Sequence, residues 1–204
     1  MKYRILLIAL LVSFCGDNHI VQRAAEDYFP LREGYSWRYA SENDTVFVEV
    51  EPTDTLLQVE CFPVSYNGVV QYLAKSDNAV SAYIKKVYNY SGNDHTVIED
   101  FVVRIELPLI NGNSYEYYLS DSILVAGQSI KAEYRITVEV IDFTYDSDYG
   151  DIYEINLLTV ESMLTPDTSI VDTSECTEYY APGLGMTRFS DGTSEYHLIE
   201  HNIP

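Results

Sequence analysis

Basic residues are scarce in this sequence of 204 residues, which holds 12 Lys and Arg against 32 Asp and Glu. The formal net charge is −20. A nucleic-acid-binding protein needs clustered cations that neutralise phosphates and release counterions. The sequence offers no such cluster, and a strongly negative chain repels a polyanion. We therefore predict no nucleic-acid partner.

Cysteine is also scarce, with three residues in the chain, which excludes a small scaffold that depends on several disulfides. The chain is long enough for one domain to bury a core without such staples. A hydrophobic content of 47% with regular patterning excludes a disordered acidic chain. The composition therefore predicts one folded domain.

Long apolar runs are lacking, and the run from Ile5 to Val12 is too short to cross a bilayer core of about 30 Å as a helix. It follows Lys2 and Arg4, and a short apolar run behind positive charges is typical of a secretory signal peptide. The sequence therefore predicts export from the cytoplasm.

The apolar run ends in Leu11-Val12-Ser13-Phe14-Cys15-Gly16-Asp17, which resembles the lipobox of bacterial lipoproteins. In that family the cysteine becomes the lipidated first residue of the mature chain, and small residues are usual where Phe14 stands here. The resemblance implies that Cys15 carries a lipid and that a membrane of the cell envelope is the partner. A soluble secreted or periplasmic protein is the alternative. The predicted division is a signal peptide over 1–14, a lipidated tether over 15–27 and a β domain over 28–204.

If Cys15 is lipidated, Cys61 and Cys176 remain as a pair in an oxidising compartment. Each lies in a strand-like stretch, and the sequence does not show whether the two meet. A disulfide between them and two separately buried thiols are equally compatible with the pattern.

The dominant period after residue 27 is two. Between Ile130 and Val140, apolar residues occupy the even positions and polar residues the odd positions. This alternation buries one face of a strand, and a helical period of 3.6 does not produce it. Similar runs predict about ten strands, at 46–50, 56–64, 69–75, 80–90, 96–107, 115–125, 130–140, 153–157, 169–180 and 195–200.

Turn residues separate these runs, as at Tyr66-Asn67-Gly68 and Ser190-Asp191-Gly192. Short turns favour antiparallel neighbours, and no capped helical pattern follows residue 27. We therefore predict an all-β fold, a single antiparallel domain of about ten strands forming a curved sheet or partly open barrel. A β-sandwich is the alternative.

A short motif, P-L-x-x-G-x-S-[WY]-x-Y, occurs twice, at 30–39 and 108–117. Proline opens and glycine closes a turn in each copy, and aromatic residues begin a strand. The two copies suggest two related half-sheets within one domain.

The same elements resemble a group of bacterial lipoproteins of unknown function. These open the domain with Phe-Pro-Leu-x-x-Gly-x-x-Trp, repeat the element, and carry Tyr-Ala-Pro-Gly-x-Gly near the end. The matching residues are Phe29 to Tyr39, Leu107 to Tyr115, with Tyr115 where the family often has Trp, and Tyr180 to Gly185. The resemblance implies an envelope β domain and supplies no activity and no catalytic residue.

Tyrosine is unusually frequent, with 19 residues. Aromatic rows on a sheet can stack sugars or hold apolar ligands, and Trp37, Tyr115, Tyr117 and Tyr180 are the candidate ligand contacts. The alternative is that these rings fill the core, because tyrosine suits a half-buried strand.

Two metal-like patterns fail on geometry. His197-Leu198-Ile199-Glu200-His201 spells H-x-x-E-H, which binds zinc on a helix. On a strand the two histidines lie about 13 Å apart, too far to share one zinc. The acidic loop around Gly150 has its glycine one place early for a calcium loop. We therefore predict no metal and no cofactor.

No nucleophile motif or phosphate-binding loop is present either. The sequence thus predicts a non-catalytic, lipid-anchored envelope lipoprotein that serves as a binding or structural module, with its ligand and protein partners unidentified. A lipid or apolar-ligand carrier with a cavity inside the curved sheet is the first alternative. An envelope hydrolase is the second.

Overall fold

The computed structural model describes residues 27–203. The predicted signal peptide and the predicted lipidation site, Cys15, lie outside these residues. The described chain forms thirteen strands and no helix, which confirms the all-β prediction. The strands are β1 (Ser36–Ala40), β2 (Thr45–Val50), β3 (Asp54–Leu56), β4 (Val59–Tyr66), β5 (Val69–Lys75), β6 (Ala79–Tyr90), β7 (Asn93–Glu106), β8 (Ser114–Val125), β9 (Gln128–Asp146), β10 (Gly150–Leu164), β11 (Ser169–Ala181), β12 (Gly185–Ser190) and β13 (Glu195–Asn202).

All thirteen strands belong to one antiparallel sheet, in the order β7-β6-β5-β4-β2-β1-β13-β12-β11-β10-β9-β8, with β3 paired to β4 off this path. The sheet curves until its two edge strands, β7 and β8, contact each other. A nearly closed, single curved sheet confirms the first fold prediction. The two-sheet sandwich is not the architecture observed.

The alternating run in β9 behaves as predicted. From Ile130 to Val140 every even position is buried, and the odd positions between them are exposed or half-buried. The buried side chains join the core that fills the inside of the curved sheet. The largest fully buried members of this core and of the smaller cluster beside it include Tyr39, Ile105, Ile130, Ile136 and Ile155.

Two similar halves make up the sheet. Each is a meander of six neighbouring strands, from β1 to β7 without β3 and from β8 to β13, and β1 pairs with β13 to join them. The repeated turn precedes the first strand of each half. The Gly34 N–H donates to Val50 O at 2.9 Å, and the Gly112 N–H donates to Val140 O at 2.8 Å. The equivalent hydrogen bonds support the two-half interpretation.

The strands differ in height. We call the end of the sheet that holds Asp27 and the 182–184 turn the lower end. The opposite end holds six hairpin turns and is called the upper end. β6 to β11 have 12 to 19 residues and rise above the shorter strands β1, β2, β4, β5, β12 and β13. A second small cluster of Val97, Ile98, Val125, Ile130 and Ala132 packs β7 against β8 and β9 in this raised part.

Candidate functional site

The segment before β1 closes the lower end of the sheet. The Gly183 N–H donates to Asp27 O at 2.7 Å, and Lys75 Nζ donates to Asp27 Oδ1 and Phe29 O, both at 2.6 Å. The ring of Phe29 lies 4.4 Å from that of Tyr180, centroid to centroid. These contacts fix the point where the chain enters the domain. They also make Asp27, placed in the tether by sequence, part of the folded body.

Trp37 and Gly185 complete this closure. Trp37 Nε1 donates to Leu184 O at 2.7 Å. A side chain at Gly185 would place its Cβ 3.1 Å from Pro30 Cδ, and Gly185 has a φ of +85°, a conformation that favours glycine. The first and last motifs of the family resemblance therefore pack against each other.

A cavity of about 60 Å³ lies between this segment and the inner face of the sheet. Pockets that hold drug-sized ligands enclose about 300–1,000 Å³. This cavity therefore has room for a few water molecules and is too small for an acyl chain. Its lining includes Phe29, Trp37, Tyr39, Tyr66, Arg104 and Tyr180.

A buried ion pair borders the cavity. Arg104 of β7 pairs with Glu178 of β11 across the inside of the sheet, and Tyr180 Oη donates to Glu178 Oε2 at 2.8 Å. The side chain of Glu178 is 6% exposed. Burial is the largest single effect and lowers the pKa of Arg104, but Glu178, Tyr180, Tyr66 and Cys176 together outweigh it, so the pKa is raised. The guanidinium of Arg104 and the carboxylate of Glu178 thus neutralise each other's charge.

The nucleophilic groups beside this pair are held protonated. Burial, followed by the charge of Glu178, raises the pKa of Cys176 to about 12. The same two causes raise the pKa of Tyr180 well above its ordinary value. Because the thiolate is the reactive form of cysteine, such a thiol is a poor nucleophile at neutral pH.

The sequence does not predict Arg104 as a site residue, because a β-bulge determines the direction of its side chain. β6 and β7 shift register between Val80 and Ser81, whose partners are Ile105 and Val103. Arg104 is the extra residue between those partners, and a bulge redirects a side chain relative to simple alternation. The sequence does indicate the position of Glu178. It lies two residues before Tyr180, and this alternation places both side chains on the buried face of β11.

The four predicted ligand-contact aromatics fall into two groups. Trp37 and Tyr180 both line the small cavity. Tyr115 and Tyr117 instead bridge the seam between β7 and β8. The Glu106 N–H donates to Tyr115 Oη at 2.6 Å, and Tyr117 Oη donates to Glu106 Oε1 at 2.5 Å. The structure therefore gives Tyr115 and Tyr117 a sheet-closing position.

The two remaining cysteines are free thiols, so the disulfide that the sequence left open is not formed. β2, β1, β13 and β12 separate β4, which holds Cys61, from β11, which holds Cys176. The thiol of Cys61 donates to Asp54 O at 3.5 Å, on the face opposite the core residue Val64. Cys176 shares the inner face with Tyr180. The two thiols therefore lie on opposite faces of the sheet.

The two metal-like patterns lie apart from the cavity. His197 and His201 are exposed on β13, where they pair with Ala40 and Trp37 of β1. Asp146 caps the β9–β10 turn by accepting from the N–H groups of Asp148 and Tyr149. Between residues 27 and 203, no three His, Cys, Asp or Glu side chains come together as metal ligands would. No helix of this region is suited to crossing a membrane.

No family profile and no curated protein matches the chain. Among solved structures, the chain is similar to a predicted lipoprotein from Parabacteroides distasonis, with a TM-score of 0.40 and 12% identity over 87% of this chain and 99% of that one. It is also similar to a predicted exported protein with a YmcC-like fold from Bacteroides fragilis, with a TM-score of 0.37 and 12% identity over the same shares. TM-scores below 0.5 are too low for either similarity to indicate a shared function.

Proposed function

We propose that this protein is a lipid-anchored lipoprotein of the bacterial cell envelope that acts without catalysis, as a binding or structural module. The lipid is attached at Cys15, and the resemblance of residues 11–17 to a lipobox is the sequence support for it. The domain then begins at Asp27, twelve residues later. A tether of that length reaches at most about 40 Å.

The filled interior is the observation that carries the proposal. The inner face of the sheet is packed with apolar and aromatic side chains, and the cavity at its lower end measures about 60 Å³. This volume favours a module that works through its outer surface over a carrier of lipids. The ionised groups inside, Arg104 and Glu178, neutralise each other, which gives an envelope hydrolase no free acid or base at that point.

The anchor also gives the domain an orientation. Asp27 is fixed at the lower end by Gly183 and Lys75, so the lower end faces the membrane in this proposal. The raised hairpins β6–β7, β8–β9 and β10–β11 then point away from it. Surfaces for partners are accordingly expected on the upper half.

The anchor is tested by expressing the full chain and its Cys15→Ala variant in a bacterial host and separating membrane from soluble fractions. We expect the unchanged chain in the membrane fraction and C15A in the soluble fraction. Mass spectrometry of the mature N-terminus should show an acylated Cys15.

Thiol counting supplies an independent readout and a control. Of the three cysteines, two should react with a thiol reagent in denaturant if Cys15 is acylated, and three if it is not. A Cys176→Ala variant should remain in the membrane fraction. An unmodified Cys15, or cleavage at another residue, would remove the anchor and leave a soluble exported protein.

A further inference from the structure

One long strand has an unpaired upper edge. β11 pairs with β10 from Ser169 to Tyr180, but pairs with β12 only from Thr177 to Ala181. On the side away from β10, no strand within residues 27–203 pairs with residues 169–176. The seven residues at 169–175 are all exposed, with Ile170 at 63% and Val171 at 62%.

The backbone direction along this edge follows from the paired part. Tyr179 O accepts a hydrogen bond from Thr187 Oγ1 of β12, so the Tyr179 carbonyl points away from β10. Alternate residues of a strand direct their N–H and C=O groups to the same side. Val171, Thr173 and Glu175 therefore present unpaired backbone donors and acceptors along the free edge.

The edge carries little of the usual protection against strand pairing. Natural edge strands carry Lys, Pro, bulges or inward-facing charges that block edge-to-edge association. The upper part of β6 is another long edge without a paired neighbour and has two lysines, with Lys85 bonded to Glu99 at 3.0 Å and Lys86 paired with Glu161. Residues 169–176 contain no Lys, Arg or Pro, and their register with β10 is unbroken. Their one inward-facing charge is Asp172, which alternates with Cys176 and Tyr180.

We propose that this β11 edge is a docking site for an extended, cationic segment of a partner protein, which adds to the sheet as a further strand. Strand addition uses main-chain hydrogen bonds for affinity and alternate side chains for specificity. Asp172 and Glu175 give the edge a negative charge, and the whole chain is at −20. That charge attracts a segment with Lys or Arg and opposes a second copy of this chain. The inference deepens the proposed binding role by naming the surface and the partner chemistry.

A cationic strand peptide tests the docking site directly. The probe is a capped peptide of about eight residues in which Lys alternates with Val and Thr, added to the purified full chain. We expect amide hydrogen exchange at Val171, Thr173 and Glu175 to be fast in the free protein and slowed by the peptide. A peptide with Glu in place of Lys should bind at least about tenfold more weakly.

A proline at the free edge separates docking from folding. Thr173→Pro removes an N–H that points away from β10, a position where an edge strand tolerates proline. We expect T173P to keep the urea unfolding midpoint of the unchanged chain and to bind the cationic peptide at least about tenfold more weakly. Thr173→Val keeps the N–H and should change the affinity less than about threefold.

Three results would overturn the proposal. The first is that the three amides are already protected in the free protein, which would mean that residues before Asp27 or a second copy cover the edge. The second is that the cationic peptide protects other amides or none, and the third is that T173P binds it as the unchanged chain does. Docking does not require the lipid, so C15A should bind the cationic peptide as well as the unchanged chain does. Loss of the anchor and loss of docking can therefore be observed separately.

Discussion

At the scale of single residues, the Arg104–Glu178 pair determines the character of the interior. Both partners come from strands that are far apart in the sheet order, so the pair ties β7 to β11 across the inside. Lys86 and Glu161 make a similar link between β6 and β10 higher up. Glu178 is buried and the other three side chains are partly buried. Charges withdrawn from water in this way are costly unless each has its partner. The pairs therefore specify how the two halves face each other.

Removing one partner should expose this dependence. Glu178→Ala leaves the Arg104 charge without its carboxylate, and we expect the free energy of unfolding to fall by about 3 kcal/mol in urea titrations. Glu175→Ala, at an exposed position of the same strand, should change it by less than about 0.5 kcal/mol. The double variant Arg104→Met with Glu178→Leu should recover most of the loss. A loss below 1 kcal/mol in E178A, by the same order-of-magnitude scale, would contradict the role given to the pair.

At the scale of elements, periodicity predicts the long strands and misses three of the short ones. β9 was predicted correctly because six buried positions alternate along Ile130–Val140, which is enough to define a face. β1, β3 and β12 have 5, 3 and 6 residues and lack three alternating apolar positions, whereas the six-residue β2 has Val46, Val48 and Val50. These three strands raise the count from about ten predicted runs to thirteen. The bulge that holds Arg104 is a register shift against β6, so it depends on pairing that a single strand's sequence does not contain.

The seam between β7 and β8 depends on two tyrosine hydroxyls in place of a strand ladder. Tyr115→Phe removes the acceptor of the Glu106 N–H, and we expect it to lower the free energy of unfolding by about 1–2 kcal/mol. Hydrogen exchange of the Glu106 amide should become faster. Tyr118→Phe is the matched control, since the Tyr118 hydroxyl bonds Glu133 on the exposed outer face. Equal stability of Y115F and Y118F would show that packing alone closes the seam.

At the scale of the whole molecule, the three motifs of the family resemblance have structural positions. The first motif and the last close the lower end, where Pro30 and Trp37 pack on Gly185. The second begins the other half and supplies Tyr115 to the seam. The repeat and the all-β fold were thus readable from sequence, whereas the positions of Trp37 and Tyr115 required the pairing order of the sheet. The candidate aromatics occupy positions that support the fold.

The many part-buried tyrosines should make the whole fold sensitive to alkali. Burial raises the pKa of Tyr66 and Tyr115 to about 12, and the hydrogen bond to Glu106, followed by burial, does the same for Tyr117. The unfolded value is 10.0, so above pH 10 the unfolded chain releases protons that the folded chain retains. The stabilisation that these groups provide is complete below pH 10 and is lost between pH 10 and about 12.

We therefore expect the urea midpoint to fall gently above pH 9.0, the ordinary pKa value of the Cys176 thiol, and steeply above 10.0, in parallel with tyrosinate absorbance. Tyr66→Phe removes one of the retained protons and should make the fall less steep. Tyr145→Phe, at a side chain that is 75% exposed, should leave the slope unchanged. The contradicting result is that the tyrosines of the folded protein ionise together near their unfolded pKa while the urea midpoint stays constant. Burial and hydrogen bonding would then not raise the pKa of their hydroxyls.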